Sequence, residues 1–122
     1  MYTYSFEKLD VWQLAREFTS DLYKITMNFP NDELFGITNQ MRRASISICS
    51  NIAEGAARQT YKEKARFFQM SYGSAVELLN QLINSNDLNY ITSEELNMLR
   101  EKIEKITNML NALHKSQINK SS

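Results

Sequence analysis

The strongest constraint on how this chain folds is a spacing. Apolar residues recur in alternating steps of three and four along three separate stretches, each bounded by turn-forming residues. In the first, Val11, Ala15, Phe18, Leu22, Ile25 and Phe29 step by 4, 3, 4, 3, 4, with Arg16, Glu17, Ser20, Asp21 and Lys24 opposite them. Tyr61, Ala65, Phe68, Tyr72, Ala75, Leu79 and Leu82 step by 4, 3, 4, 3, 4, 3. Leu96, Leu99, Ile103, Ile106, Leu110 and Leu113 step by 3, 4, 3, 4, 3. A mean step of about 3.5 keeps each set on one side of a helix and draws it against a neighbour in a left-handed, coiled-coil-like seam.

A fourth helix must lie in 42–55, which reads RRASISICSNIAEG. Ile37, Met41, Ala44, Ile48 and Ile52 turn inward, with Cys49 and Ala53 alongside. Ser45, Ser47 and Ser50 are mediocre helix formers, so packing has to hold this element. Thr38 reads as its N-cap and Gly55 as the left-handed residue after its end. Thr60 with Glu63, and Thr92 with Glu95, have the spacing of capping boxes that open the next two helices. Pro30 closes the first.

These signals predict helices at about 7–29, 38–54, 60–85 and 93–114, with 115–122 a flexible tail. The short connections make successive helices antiparallel. The expected fold is one all-α domain spanning 1–122, an antiparallel up-down-up-down four-helix bundle. Phe67, Met70, Leu78 and Trp12 lie outside the seams, a surplus of apolar surface that suggests contact between subunits. Gly73, Ser74 and Ala75 form a small-residue notch in the third helix.

Composition narrows the function classes. Fourteen basic residues balance fourteen acidic ones, so no global field draws the chain to nucleic acid or an anionic membrane. The single cysteine, Cys49, excludes an internal disulfide and fits a reducing compartment. No apolar run approaches the ~20 residues of a membrane span, and the start of the chain lacks the pattern of a signal peptide. The expectation is a cytoplasmic, soluble protein. His114 is the lone histidine, there is no Glu-x-x-His pair and no glycine-rich phosphate loop. No catalytic residue, metal site or cofactor is therefore expected.

Two groups remain as candidate binding surfaces. Arg43, Ser47, Asn51 and Glu54 form a polar strip along one side of the second helix, suited to a structural network or to a partner protein. Arg58, Lys62, Lys64 and Arg66 gather with Lys115 and Lys120 at one end of the bundle. Asp32, Glu33, Asp87, Glu94 and Glu95 gather at the other. Lys62 and Lys64 fall in the first turn of a helix, where the dipole disfavours cations, which hints at an anionic partner.

The residues Leu9-Asp10-Val11-Trp12-Gln13, Arg42-Arg43-Ala44, Ser47-Ile48 through Asn51-Ile52-Ala53-Glu54-Gly55, Gly73-Ser74, Glu77-Leu78 and Gln81-Leu82 resemble the bacterial 23S rRNA intervening-sequence protein family, also called S23-like. The resemblance runs from Phe6 to Leu113 and is most specific at Ser-Ile…Asn-Ile-Ala-Glu-Gly. It implies a four-helix bundle similar to the accessory protein of diversity-generating retroelements, a homopentamer that binds a reverse transcriptase and nucleic acid. Cys49 stands where the family usually has proline, and the neutral charge departs from the basic accessory proteins. The expected function is a non-enzymatic oligomeric interaction or adaptor protein. The alternative is an RNA-binding accessory subunit acting through a basic rim of the oligomer.

Overall fold

A computed structural model describes residues 1–121, and within them every regular element is helical. Helix α1 spans Asp10–Thr26, α2 Ile37–Ala57, α3 Tyr61–Asp87 and α4 Ser93–Ser121. Short 3-10 turns at Ser5–Lys8 and Asn31–Glu33 precede α1 and α2.

Cross-helix contacts fix the directions. Thr26 of α1 meets Arg42 of α2, while Thr19 meets Ser45 and Cys49. Ser71 of α3 reaches Ile48 of α2, and Ser85 reaches Met41. His114 of α4 meets Ala65 of α3, and Lys102 of α4 pairs with Asp21 of α1. Each neighbour is antiparallel, so the chain runs up, down, up, down. Helix α3 packs most extensively, on both α2 and α4, whereas α1 and α4 touch least.

The core contains Phe18, Leu22, Met41, Ile48, Ile52, Leu78, Leu82, Leu99, Ile103, Ile106 and Leu110, all shut off from solvent. The seams expected for α1 and α4 are buried along their middles as the spacing requires, with Leu96 and Leu113 half-buried at the two ends of the α4 seam and Thr26 taking the inward place of the half-buried Ile25. Helix α3 departs from its predicted seam. Tyr61 and Tyr72 are exposed, and Ser71, Leu78, Gln81 and Ser85 are buried in their place. The reason is volume. Ser71 and Ala75 let α2 come close enough for the Ser71 hydroxyl to donate to the Ile48 carbonyl oxygen at 2.8 Å. A tyrosine on that line would hold the helices apart.

Three further expectations are corrected. Gly55 does not end α2: the helix continues to Ala57, and no glycine has a positive φ. Gly55 is there for space, since a Cβ on it would lie 2.9 Å from Phe68 Cε1 and 3.0 Å from Phe67 Cβ. Thr38 is not an N-cap. Gly36 precedes the helix, and the Thr38 hydroxyl is buried with no partner among the described residues. Residues 115–121 are not a loose tail but the last two turns of α4. Gln117 continues the seam four residues after Leu113 and is buried, and Lys120 Nζ sits 5.7 Å from the Tyr61 ring centre. Ser122, also assigned to that tail, lies outside the described residues.

Helix α1 starts at Asp10, after Leu9 takes an extended conformation. Its end at Thr26 is tied off by Arg42, whose Nε donates to Thr26 Oγ1 at 2.9 Å and whose Nη2 donates to the Tyr23 carbonyl at 3.3 Å. The guanidinium also lies over the Tyr23 ring. A cation at a helix C-terminus satisfies orphan carbonyls and the dipole together. Helix α3 ends at Asp87, and Asn89 then adopts φ 63° while the Tyr90 amide donates back to the Ser85 carbonyl at 2.8 Å. This is a Schellman-type stop with asparagine in the left-handed position. Both Thr92–Glu95 bonds of the capping box form, at 3.0 and 3.1 Å, but only the Thr60 half of the Thr60–Glu63 box.

Candidate functional site

The predicted polar strip is partly assembled. Ser47 Oγ lies 2.9 Å from Ser74 Oγ of α3, and Asn51 Nδ2 donates to both the Ser47 carbonyl and hydroxyl oxygens, at 2.9 and 3.1 Å. These three side chains form a network bridging α2 and α3. One turn back, Arg43 stands exposed at the edge of an open cleft of about 430 Å³, lined also by Asn39, Gln40, Ala44, Ser47, Ser74 and Glu77. Arg43 makes no hydrogen bond or ion pair among the described residues, so its guanidinium is free for another molecule. Glu54 is exposed and contributes only its backbone carbonyl, which accepts from Arg58 Nε at 3.2 Å. The structure thus joins Ser47 and Asn51, places Arg43 beside them and leaves Glu54 apart.

The spacing argument missed the residues of α3 that complete this site. Ser74 and Glu77 are three apart, hence on one face, and they meet the α2 strip only because Ser71 and Ala75 bring the helices close.

The four basic residues divide. Lys64 Nζ donates to the Ala56 carbonyl at 2.9 Å, and Arg58 bonds the Glu54 carbonyl with its guanidinium 4.7 Å from the Phe67 ring centre. Both neutralise the C-terminus of α2. Of the two lysines that looked misplaced at the start of α3, Lys64 is therefore accounted for by the end of the preceding helix. Lys62 and Arg66 are exposed and make no bond among the described residues.

Cys49 is half-buried with Thr19 Oγ1 at 3.6 Å. Burial pushes its thiol up, outweighing the hydrogen bond it shares with Thr19, which pulls it down. That is the reverse of the shift that activates a nucleophile. His114 Nδ1 lies instead 3.0 Å from the Ala65 carbonyl. Among the described residues no cluster of His, Cys, Asp and Glu could hold a metal ion. No helix among the described residues is long and apolar enough to cross a membrane.

Helix order, antiparallel packing and the close serine-lined α2–α3 interface define a four-helix-bundle protein. Its sequence matches the 23S rRNA-intervening sequence protein family over residues 7–112, and the chain belongs to that family. Its fold is similar to a crystal structure of a protein of unknown function from the S23 ribosomal protein family of Bacteroides thetaiotaomicron. The two share 23% identity with a TM-score of 0.78, over 86% of this chain and 98% of that one. No curated protein matches the chain.

Proposed function

We propose that the protein is a non-enzymatic, oligomeric helical-bundle adaptor of the cytoplasm, whose copies associate side by side and together dock another protein. The observation that carries this reading is that α3 is apolar on two sides. Beyond its buried face, Tyr72, Val76 and Ile83 continue the helical stripe outward, 40%, 47% and 37% exposed. Leu79 joins them from the edge of the core. A helix facing only water on that side has no use for such a stripe, whereas a subunit contact does. The family resemblance makes a ring of five the expected assembly. The Arg43 cleft lies between α2 and α3, lined by Ser74 and Glu77 rather than by the Tyr72, Val76 and Ile83 stripe, and suits a partner's polar groups. Light scattering on the full chain tests it: an oligomer is expected, and Val76→Glu should give a monomer with unchanged helix content. A wild-type monomer at micromolar concentration would refute it.

A second reading is nucleic-acid contact at the basic end. The unengaged Lys62 and Arg66 favour it, and ring assembly would repeat them around one rim. Similarity to the accessory proteins of diversity-generating retroelements bears on both readings, since such a subunit holds a reverse transcriptase and nucleic acid. Filter binding to structured RNA at low salt separates the two, because counterion release most favours association there. Undetectable binding eliminates the second.

A further inference from the structure

The opposite, acidic end carries an exposed apolar surface that the bundle does not use. Phe35 is 90% exposed, Met27 75%, Leu88 53% and Leu34 50%. They come from two connections that are held together: Tyr90 Oη donates to Glu33 Oε2 at 2.9 Å, and the Tyr90 ring lies 5.4 Å from that of Phe29. The tip is thus braced by side-chain contacts. Asp32, Asp87 and Glu94 are exposed around it, and neither 28–38 nor 84–96 contains a lysine or arginine. Large side chains standing in water inside an acidic rim are costly for solubility unless something covers them.

We propose that this tip is a docking site for a basic amphipathic helix of a partner protein, its apolar face on Phe35, Leu34, Met27 and Leu88 and its cations on Asp32, Asp87 and Glu94. The inference rests on the adaptor reading and gives its partner a chemistry. A second copy is the poorer occupant. Tip against tip would bring two acidic rims together. An anionic membrane would be repelled by the same acids.

The test uses the full chain and a short amphipathic leucine–lysine helix peptide. Its controls are a leucine–glutamate helix and a lysine–serine peptide without leucine. Binding is read by fluorescence anisotropy and the contact surface by amide chemical shifts. The leucine–lysine peptide should bind and move the signals of Met27, Leu34, Phe35 and Leu88. Phe35→Ser, at a side chain the core does not need, should weaken it by roughly tenfold or more. Replacing Asp32, Asp87 and Glu94 with their amides should weaken it too and flatten its salt dependence. The proposal is overturned if the leucine–lysine peptide does not bind, or if the lysine–serine peptide binds equally well. It is also overturned if the shifts centre on Ser47 and Ser74, which would keep the adaptor reading and move its docking face. Self-association abolished by Phe35→Ser would assign the tip to a second copy and overturn it as well. Peptide binding at the tip of a chain that is monomeric by light scattering would support this site while removing the oligomer.

Discussion

Gly55→Ala and Gly73→Ala are the same substitution in two helix interiors, and the structure predicts opposite signs. Each gains the helix propensity of alanine over glycine, about 1 kcal/mol. At Gly73 a new Cβ meets nothing within 4 Å, so that gain should appear undiminished. At Gly55 the Cβ would sit 2.9 and 3.1 Å from Phe68 Cε1 and Cδ1 and 3.0 Å from Phe67 Cβ. Carbon atoms settle at about 3.5–4.0 Å, and the Phe68 ring is buried and cannot swing aside. Overpacking of this kind costs about 1–3 kcal/mol. The expected result is a net loss of up to about 2 kcal/mol for Gly55→Ala, a fall in Tm of several degrees. Because propensity is common to both variants, the difference between them isolates the steric cost. Urea unfolding followed by circular dichroism measures it. Equal stabilisation by the two substitutions would refute the close approach of α2 to the Phe67–Phe68 corner.

Three other outcomes follow from particular contacts. Arg42→Met keeps the side-chain stem but frees the end of α1, and should cost about 1–2 kcal/mol in urea unfolding; an unchanged midpoint would show the cap to be idle. Thr38→Val removes a buried hydroxyl with no partner and should stabilise by up to about 1 kcal/mol, a loss indicating a hydrogen bond that the structure does not contain. Cys49 should alkylate more slowly than a free thiol near neutral pH, because burial raises its pKa. The folded thiol loses its proton at higher pH than the unfolded one, so its contribution to stability is complete below the unfolded pKa, about 8.5, and is lost as pH rises through the folded value. Alkylation as fast as that of glutathione, measured by mass spectrometry, would contradict the burial.

How much of this was legible depended on what each interface is made of. Helices α1 and α4 are sealed by large apolar side chains, and their spacing alone identified Phe18, Leu22, Leu99, Ile103, Ile106 and Leu110 as core. The closest part of the α2–α3 interface is made of serines, alanine and glycine, with the Ser71 hydroxyl bonded to the Ile48 carbonyl and the Ser85 hydroxyl to the Met41 sulfur across the gap. Hydrophobic periodicity gives such residues no weight, so Tyr72 was read as core and Ser71 was not. Gly55 looked like a helix end because the partner that needs its missing Cβ is Phe68, thirteen positions on. The Ser47–Asn51 half of the candidate site was visible as spacing on one helix; Ser74 and Glu77 required knowing which face of α3 turns toward α2. Of the basic end, sequence supplied the charges but not their employment, because the carbonyls that claim Arg58 and Lys64 belong to the backbone.

The proposed role depends on the outer face of α3 joining copies of this chain. Light scattering of the full chain at micromolar concentration, beside Val76→Glu, tests it most directly. A wild-type oligomer, with five subunits the expected number, and a folded monomer for the variant are the expected results. A wild-type monomer, or an oligomer that Val76→Glu leaves intact, would contradict it.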